Sequence, residues 1–295
     1  MRSSAAGSWV VANVFANADW TEADVKDTFV GDMALVWDKN AFSSFAKAAA
    51  AVTGTNTLNI SGGTSAENIA LAGKNDVVVS GDTAATAVGA LSSNGGVLTV
   101  NSDLTAASIS GFSAINAKAD ALTVTGGIDL AAGTTITIDM TGHVQDTSDA
   151  AILVTGTGIT GIADDSSIVL TGEGSGAYYG YYNVNDKSVH ALRVDNFYVD
   201  VAFGTAGEGI AEGQVNPITG ETLLWGVNAF YYLTDAINKM VPGQNLYINN
   251  RQGNSIDVHD QMANIYLTDS VVPVLINGYT MKFLEVLSFT CHAMC

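Results

Sequence analysis

Adjacent carboxylates at Asp164 and Asp165, with Asp139, Asp146 and Asp149 just upstream, are the residues whose type and spacing first suggest acid-base chemistry. Two carboxylates acting on a glycosidic bond must stand about 5 to 9 Å apart across it. Neighbours in a strand point to opposite faces, so Asp164 and Asp165 could serve one site only in a turn. A turn between the apolar runs around Ile162 and Ile168 is where they fall, and solvated turn aspartates are the reading they take. His143, His190, His259 and His292 form no pair at metal-ligand spacing and read as surface residues. Cys291, His292 and Cys295 offer zinc three ligands on one terminal pentapeptide, a weak metal signal. The glycine-rich stretch 171–176 lacks the lysine and helix of a phosphate loop, and no nucleophile elbow or calcium nonapeptide repeat occurs. Tyr178, Tyr179, Tyr181 and Tyr182 remain. Strand alternation puts Tyr178 with Tyr182 on one face and Tyr179 with Tyr181 on the other. Exposed, such a stripe would stack on sugar rings or meet a partner; buried, it would be a layer of large core residues, and tyrosine is ordinary strand composition. No residue is assigned a catalytic, cofactor or metal role, and no cofactor is expected.

The elements that must position these residues follow from composition. The 295 residues carry 11 Lys+Arg against 29 Asp+Glu, a formal charge of −18, which repels phosphate and excludes a nucleic-acid partner. With 47% hydrophobic residues the chain has material for a sizeable core. No window approaches the roughly 18 to 20 apolar residues of a membrane-spanning helix. Both cysteines lie in the last five residues, so a disulfide framework is excluded for the body. Between Thr53 and Gly174 the chain is mostly Ala, Thr, Ser, Gly, Val, Ile, Asn and Asp, the texture of short strands and turns.

An internal repeat organises the whole. Leu35, Trp37, Asn40, Ala41 and Phe42 match Leu223, Trp225, Asn228, Ala229 and Phe230, all at the one offset that carries position 35 onto 223. Eight of the 26 positions from 35 to 60 are identical, where average composition gives about two. Phe42, Phe45, Ala49 and Val52, like Phe230, Leu233, Ile237 and Met240, have the spacing of one helical face, which predicts helices over about 41–52 and 229–240. Asn40 and Asn228 are read as their N-caps, and Gly54 or Pro242-Gly243 as their ends. Trp37, Asn40, Phe42, Trp225, Asn228 and Phe230 are thus the structural anchors of the repeat. Continued backwards, the offset pairs Val11 and Phe15 with Val199 and Phe203, so the apolar N-terminus reads as a module's first strand rather than a signal peptide.

Two modules result: 10–197, with a strand at 10–15, the helix and a solenoid over 57–197; and 198–295, a truncated copy with an atypical tail, 281–295. The truncation predicts neighbouring modules in a longer parent chain. Within 57–197, runs at 58–60, 76–80, 97–100, 122–125, 135–138, 152–155 and 168–171 start about 14 to 25 residues apart, wider than a sandwich wants. Coils of about 20 residues stacking equivalent strands predict an all-β chain, a right-handed parallel β-helix with short amphipathic helices at the module starts.

Residues 226–237, Gly-Val-Asn-Ala-Phe-Tyr-Tyr-Leu-Thr-Asp-Ala-Ile, followed by Pro242-Gly243 and Leu246-Tyr247-Ile248, resemble the helix-then-strand entry of pectin-lyase-like β-helices. With Tyr198-Val199-Asp200 and Phe203 they are similar to repeat modules of large bacterial surface proteins and autotransporter passenger regions. The first copy departs from the pattern at Asp38-Lys39, which replaces Gly226-Val227. The resemblance implies a non-enzymatic stalk or display scaffold, exported to the cell surface or secreted, with host or matrix glycans or proteins as partners. Its alternatives are a carbohydrate-active β-helix enzyme, lyase or glycosidase, or a carbohydrate-binding module, with Tyr178 to Tyr182 as the contact.

Overall fold

Valine, isoleucine and leucine at alternate positions, separated by Thr, Asn or Asp, favour strands with one face buried, and the chain is built from them. A computed structural model describes residues 13–81, 85–145, 149–211, 214–217, 219–240 and 244–249, and the backbone of Arg2–Ser3, Trp9–Val10, Val274–Ile276 and Tyr279–Phe283. Strands take 43% of residues and helices 11%, so the chain is mostly β, with parallel sheets. It divides into two compact units, residues 1–175 with 180–192, and 176–179 with 193–295.

In the first unit an eight-stranded parallel sheet runs in the order Ile168–Thr171, Thr135–Asp139, Ala114–Lys118, Val97–Val100, Val77–Val79, Thr57–Ile60, Asn13–Ala16, Ala41–Phe42. Its register lines up one apolar column, Leu58, Val77, Leu98, Ile115, Ile136 and Ile168, and a second, Ile60, Val79, Val100, Ala117, Ile138 and Leu170. From Leu58 to Ile136 the first column is wholly buried. A second sheet carries a matching column, Ile69, Leu91, Ile109, Ile128 and Ile159. In both sheets the column advances by about 20 residues per strand, the length of a solenoid coil, and takes a step half as long again at its end. Burying such a Leu or Ile is worth about 1.5 to 3 kcal/mol. A one-residue slip would turn a whole strand inside out, so the columns fix the register.

The parallel stacking expected over 57–197 stops short of that range. Asp149–Thr155 pairs antiparallel with Ser188–Arg193, which also neighbours Tyr178–Asn183. The short turn 184–187 makes that last hairpin, with Lys187 at φ 63°. So short a connection joins antiparallel strands and leaves no room for a parallel crossover.

The expected helices are shorter, Phe45–Ala51 and Leu233–Lys239. Ala41–Phe42 and Ala229–Phe230 are strands, because each finds a parallel partner, Phe15-Ala16 and Tyr198-Val199. In the second unit Asn196–Asp200 also pairs with Asn245–Asn249. Tyr198 stands between Ala229 and Tyr247 as Phe15 stands between Ala41 and Asn59. This corrects the backward register: Phe15 corresponds to Tyr198, not Phe203. The connection from Tyr198 to Ala229 is therefore longer than the one from Phe15 to Ala41, by five positions.

Candidate functional site

The repeat anchors are built alike in both units. Asn40 and Asn228 are buried and do not cap helices. The Asn40 Oδ1 accepts from the Val36 N–H (2.6 Å) and its Nδ2 donates to the Ala34 carbonyl (3.0 Å). Asn228 does the same with Leu224 (2.7 Å) and Thr222 (2.9 Å). Each clasps the turn in which Trp37 bridges Ala41, or Trp225 bridges Ala229. That turn needs a left-handed residue, supplied by Gly226 at φ 71° and by Asp38 at φ 54°, so Asp38 keeps the conformation. The N-cap of the first helix is Ser44, whose hydroxyl oxygen accepts from the Lys47 N–H and donates to Glu67. Phe42 and Phe230 are buried, and Phe230 stacks on Phe197 at 6.0 Å.

The tyrosines fall in the strand Tyr178–Asn183, all half-buried, with Tyr178 and Tyr179 in the second unit and Tyr181 and Tyr182 in the first. Gly180 lets the strand approach its neighbours: a Cβ there would lie 2.9 to 3.0 Å from Ile168 and Leu170. The Tyr181 hydroxyl donates to Asp149 Oδ2 (2.7 Å), and its ring lies 5.5 Å from that of His190. Burial, then this hydrogen bond, pushes the Tyr181 phenol well above its ordinary pKa. The Ile159 N–H donates to the Tyr182 hydroxyl at 3.3 Å. His190, expected at the surface, is buried, with Nδ1 3.1 Å from Asp149 Oδ1 and Nε2 2.6 Å from Asp186 Oδ2. His143 is also drawn in: its side chain is 5% exposed, Nδ1 lies 2.9 Å from Asp120 Oδ2 and Nε2 lies 3.3 Å from Gln145 Oε1. No sequence signal pointed to Asp120, Asp186 or Gln145.

Asp164 and Asp165 take different partners. Asp164 accepts from the Ser166 N–H at 2.8 Å and Asp165 from the Tyr182 N–H at 3.0 Å, the behaviour of turn carboxylates. Asp139 lines a shallow groove of about 340 Å³ on the outer face of the eight-stranded sheet. In-register rows floor it: Thr99, Asn116 and Thr137, and beside them Lys118, Asp139 and Thr171. The Thr141 hydroxyl and N–H, helped by Lys118, hold the Asp139 carboxyl below its ordinary pKa. One carboxylate and one ammonium line this groove among hydroxyls and amides. Glycoside hydrolysis asks for two carboxylates.

Among the described residues no group of three His, Cys, Asp or Glu could hold a metal, and no helix is long and apolar enough to cross a membrane. Asp146, His259, Pro242-Gly243, the Cys291, His292 and Cys295 trio and most of the 281–295 tail lie outside the described residues. No protein family, curated protein or solved structure matches this chain.

Proposed function

We propose that this chain is a structural module of a bacterial cell-surface or secreted protein, a right-handed parallel β-helical stalk or display scaffold acting in adhesion, without catalytic activity of its own. The supporting observation is the matched advance of the apolar columns: two sheets that step forward together by about 20 residues are what a coil does once per turn. Parallel crossovers are right-handed in almost every protein. Such a stack is rigid without a cofactor, and its −18 charge suits a solvated exterior. Its partners are neighbouring modules of a longer parent and host or matrix glycans or proteins. Protease shaving of intact cells expressing the parent protein tests the location: release of peptides from 13–240 is expected, and full protection until lysis would overturn it.

A second reading, carbohydrate contact with or without turnover, is favoured by the groove on which Thr99, Asn116, Lys118, Thr137 and Asp139 meet. An unsaturated-product and reducing-sugar assay over acidic polysaccharides separates the two. Turnover abolished by Asp139→Asn would sink the stalk reading. Glycan-array binding lost with Tyr181→Ala or Lys118→Ala, without turnover, would select a binding module.

A further inference from the structure

Asn94-Gly95 stands at the corner between the strands Thr86–Ser92 and Val97–Val100, with Asn94 exposed. The pair carries a reaction of its own. The Gly95 nitrogen can attack the Asn94 Cγ, because glycine has no Cβ to hinder the approach. Solvent base takes the amide proton, the new C–N bond forms, and the side-chain nitrogen leaves as ammonia. Water then opens the five-membered imide at one of its two carbonyls. Cleavage at the Asn94 Cγ leaves aspartate. Cleavage at its main-chain carbonyl leaves isoaspartate, with the chain routed through the side chain. Nothing is oxidised or reduced.

The folded corner holds that nucleophile. The Gly95 N–H donates to the Gly111 carbonyl at 2.7 Å, while the Asn94 N–H turns to the Gly73 carbonyl at 3.2 Å. The Gly96 N–H donates to the Ser93 hydroxyl at 3.1 Å, and that hydroxyl donates to the Asn75 carbonyl at 2.9 Å. Gly95 sits at φ 93°, and a Cβ on Gly96 would run into the Asn75 carbonyl. The corner therefore has no slack for the Gly95 nitrogen to swing toward a side chain, and a nitrogen committed to a short hydrogen bond does not give its proton to solvent. We propose that Asn94-Gly95 is a covalent modification site, a spontaneous deamidation that is shut off in the folded corner and proceeds only when the bond from Gly95 to Gly111 opens. Isoaspartate adds one backbone carbon where even a Cβ has no room, and so keeps the corner from closing again. The product is a one-way record of local opening, and it adds a negative charge to a chain already at −18.

The test follows conversion at position 94 in the whole chain, folded and in urea, in the same mildly alkaline buffer. Peptide mapping is the readout, because Asn277-Gly278 is a second such pair in the sequence. Conversion needs the same opening that exchanges the Gly95 amide, so folding is expected to slow it by about tenfold or more. Equal rates in the two conditions overturn the gating, and no product at 94 in urea overturns the site. Ser93→Ala removes the hydroxyl that ties Gly96 to Asn75. It is expected to raise deamidation and hydrogen exchange at Gly95 by the same factor. A rise in one without the other overturns the link between them. If Ser93→Ala does not fold, its rate matches that in urea and the two wild-type rates still decide.

Discussion

Replacing Asn40 by Ala removes both arms of the first clasp at once. The Val36 N–H loses its acceptor and the Ala34 carbonyl its donor, in a turn where Asn40 itself is 1% exposed. Each buried polar group left unmatched costs about 1 to 3 kcal/mol. Val36 and Ala34 are partly open to water, so the lower half of that range applies to each of the two groups, and the expected loss is about 2 to 4 kcal/mol. Asn228→Ala breaks the same pair of bonds at Leu224 and Thr222 and should cost the same. Urea unfolding of the full chain followed by tryptophan fluorescence reads the magnitude, because Trp37 and Trp225 stand inside the two turns. Hydrogen exchange assigns the loss to 34–42 in one variant and 222–230 in the other. A loss below about 0.5 kcal/mol at either site, typical of inert surface changes, would mean that the clasp does not hold the turn.

Phe42→Asp or Phe230→Asp should destabilise by several kcal/mol in thermal melts, since each buries a carboxylate where a ring is lost. Lys47→Ala should stay within about 0.5 kcal/mol, because its 3.8 Å contact with Asp38 is solvent-exposed; equal sensitivity at 42 and 47 would contradict the assigned burial. Ile136→Ala, in the middle of a buried column, should cost about 2 to 5 kcal/mol by urea unfolding, and a change under about 1 kcal/mol would argue against a packed column. The Ala46 N–H, with Ser44, holds the Glu67 carboxyl below its ordinary pKa. Glu67 thus stabilises the first helix at neutral pH and that help is lost as pH falls through its lowered value. Melts at about pH 7 and 3 should show Glu67→Gln less acid-sensitive than wild type; matching slopes would remove Glu67 from the cap.

The apolar runs of the first unit were legible because β-branched residues alternate there, and all seven expected runs coincide with strands. Thr86–Ser92, Leu104–Ser110 and Ala114–Lys118 were missed, since Ala, Ser and Gly give little strand signal even where they pack. The repeat itself could be read, but its dissection was wrong at Asn40. An Asn before an apolar periodic run has the signature of an N-cap, and only the neighbouring strand, which takes Ala41 and Phe42, moves the helix start to Ser44. The histidine cluster was out of reach. Asp149 and His190 are far apart in the chain, and only antiparallel pairing joins them.

The added length of the second connection has a chemical counterpart in the strand it follows. Where the first unit has Phe15, the second has Tyr198, buried, with a hydroxyl that needs partners. It donates to Glu221 at 2.8 Å and meets Thr219, both in the longer connection, while Asn196 also donates to Glu221. Strand and connection therefore form one heritable block. A chimera carrying 17–36 on the second strand would strand a phenol in a dry core, and one carrying 200–224 on the first would bring the half-buried Glu221 carboxylate to a ring with nothing to offer it. Any duplication of this chain that is to drift in sequence must change the two together.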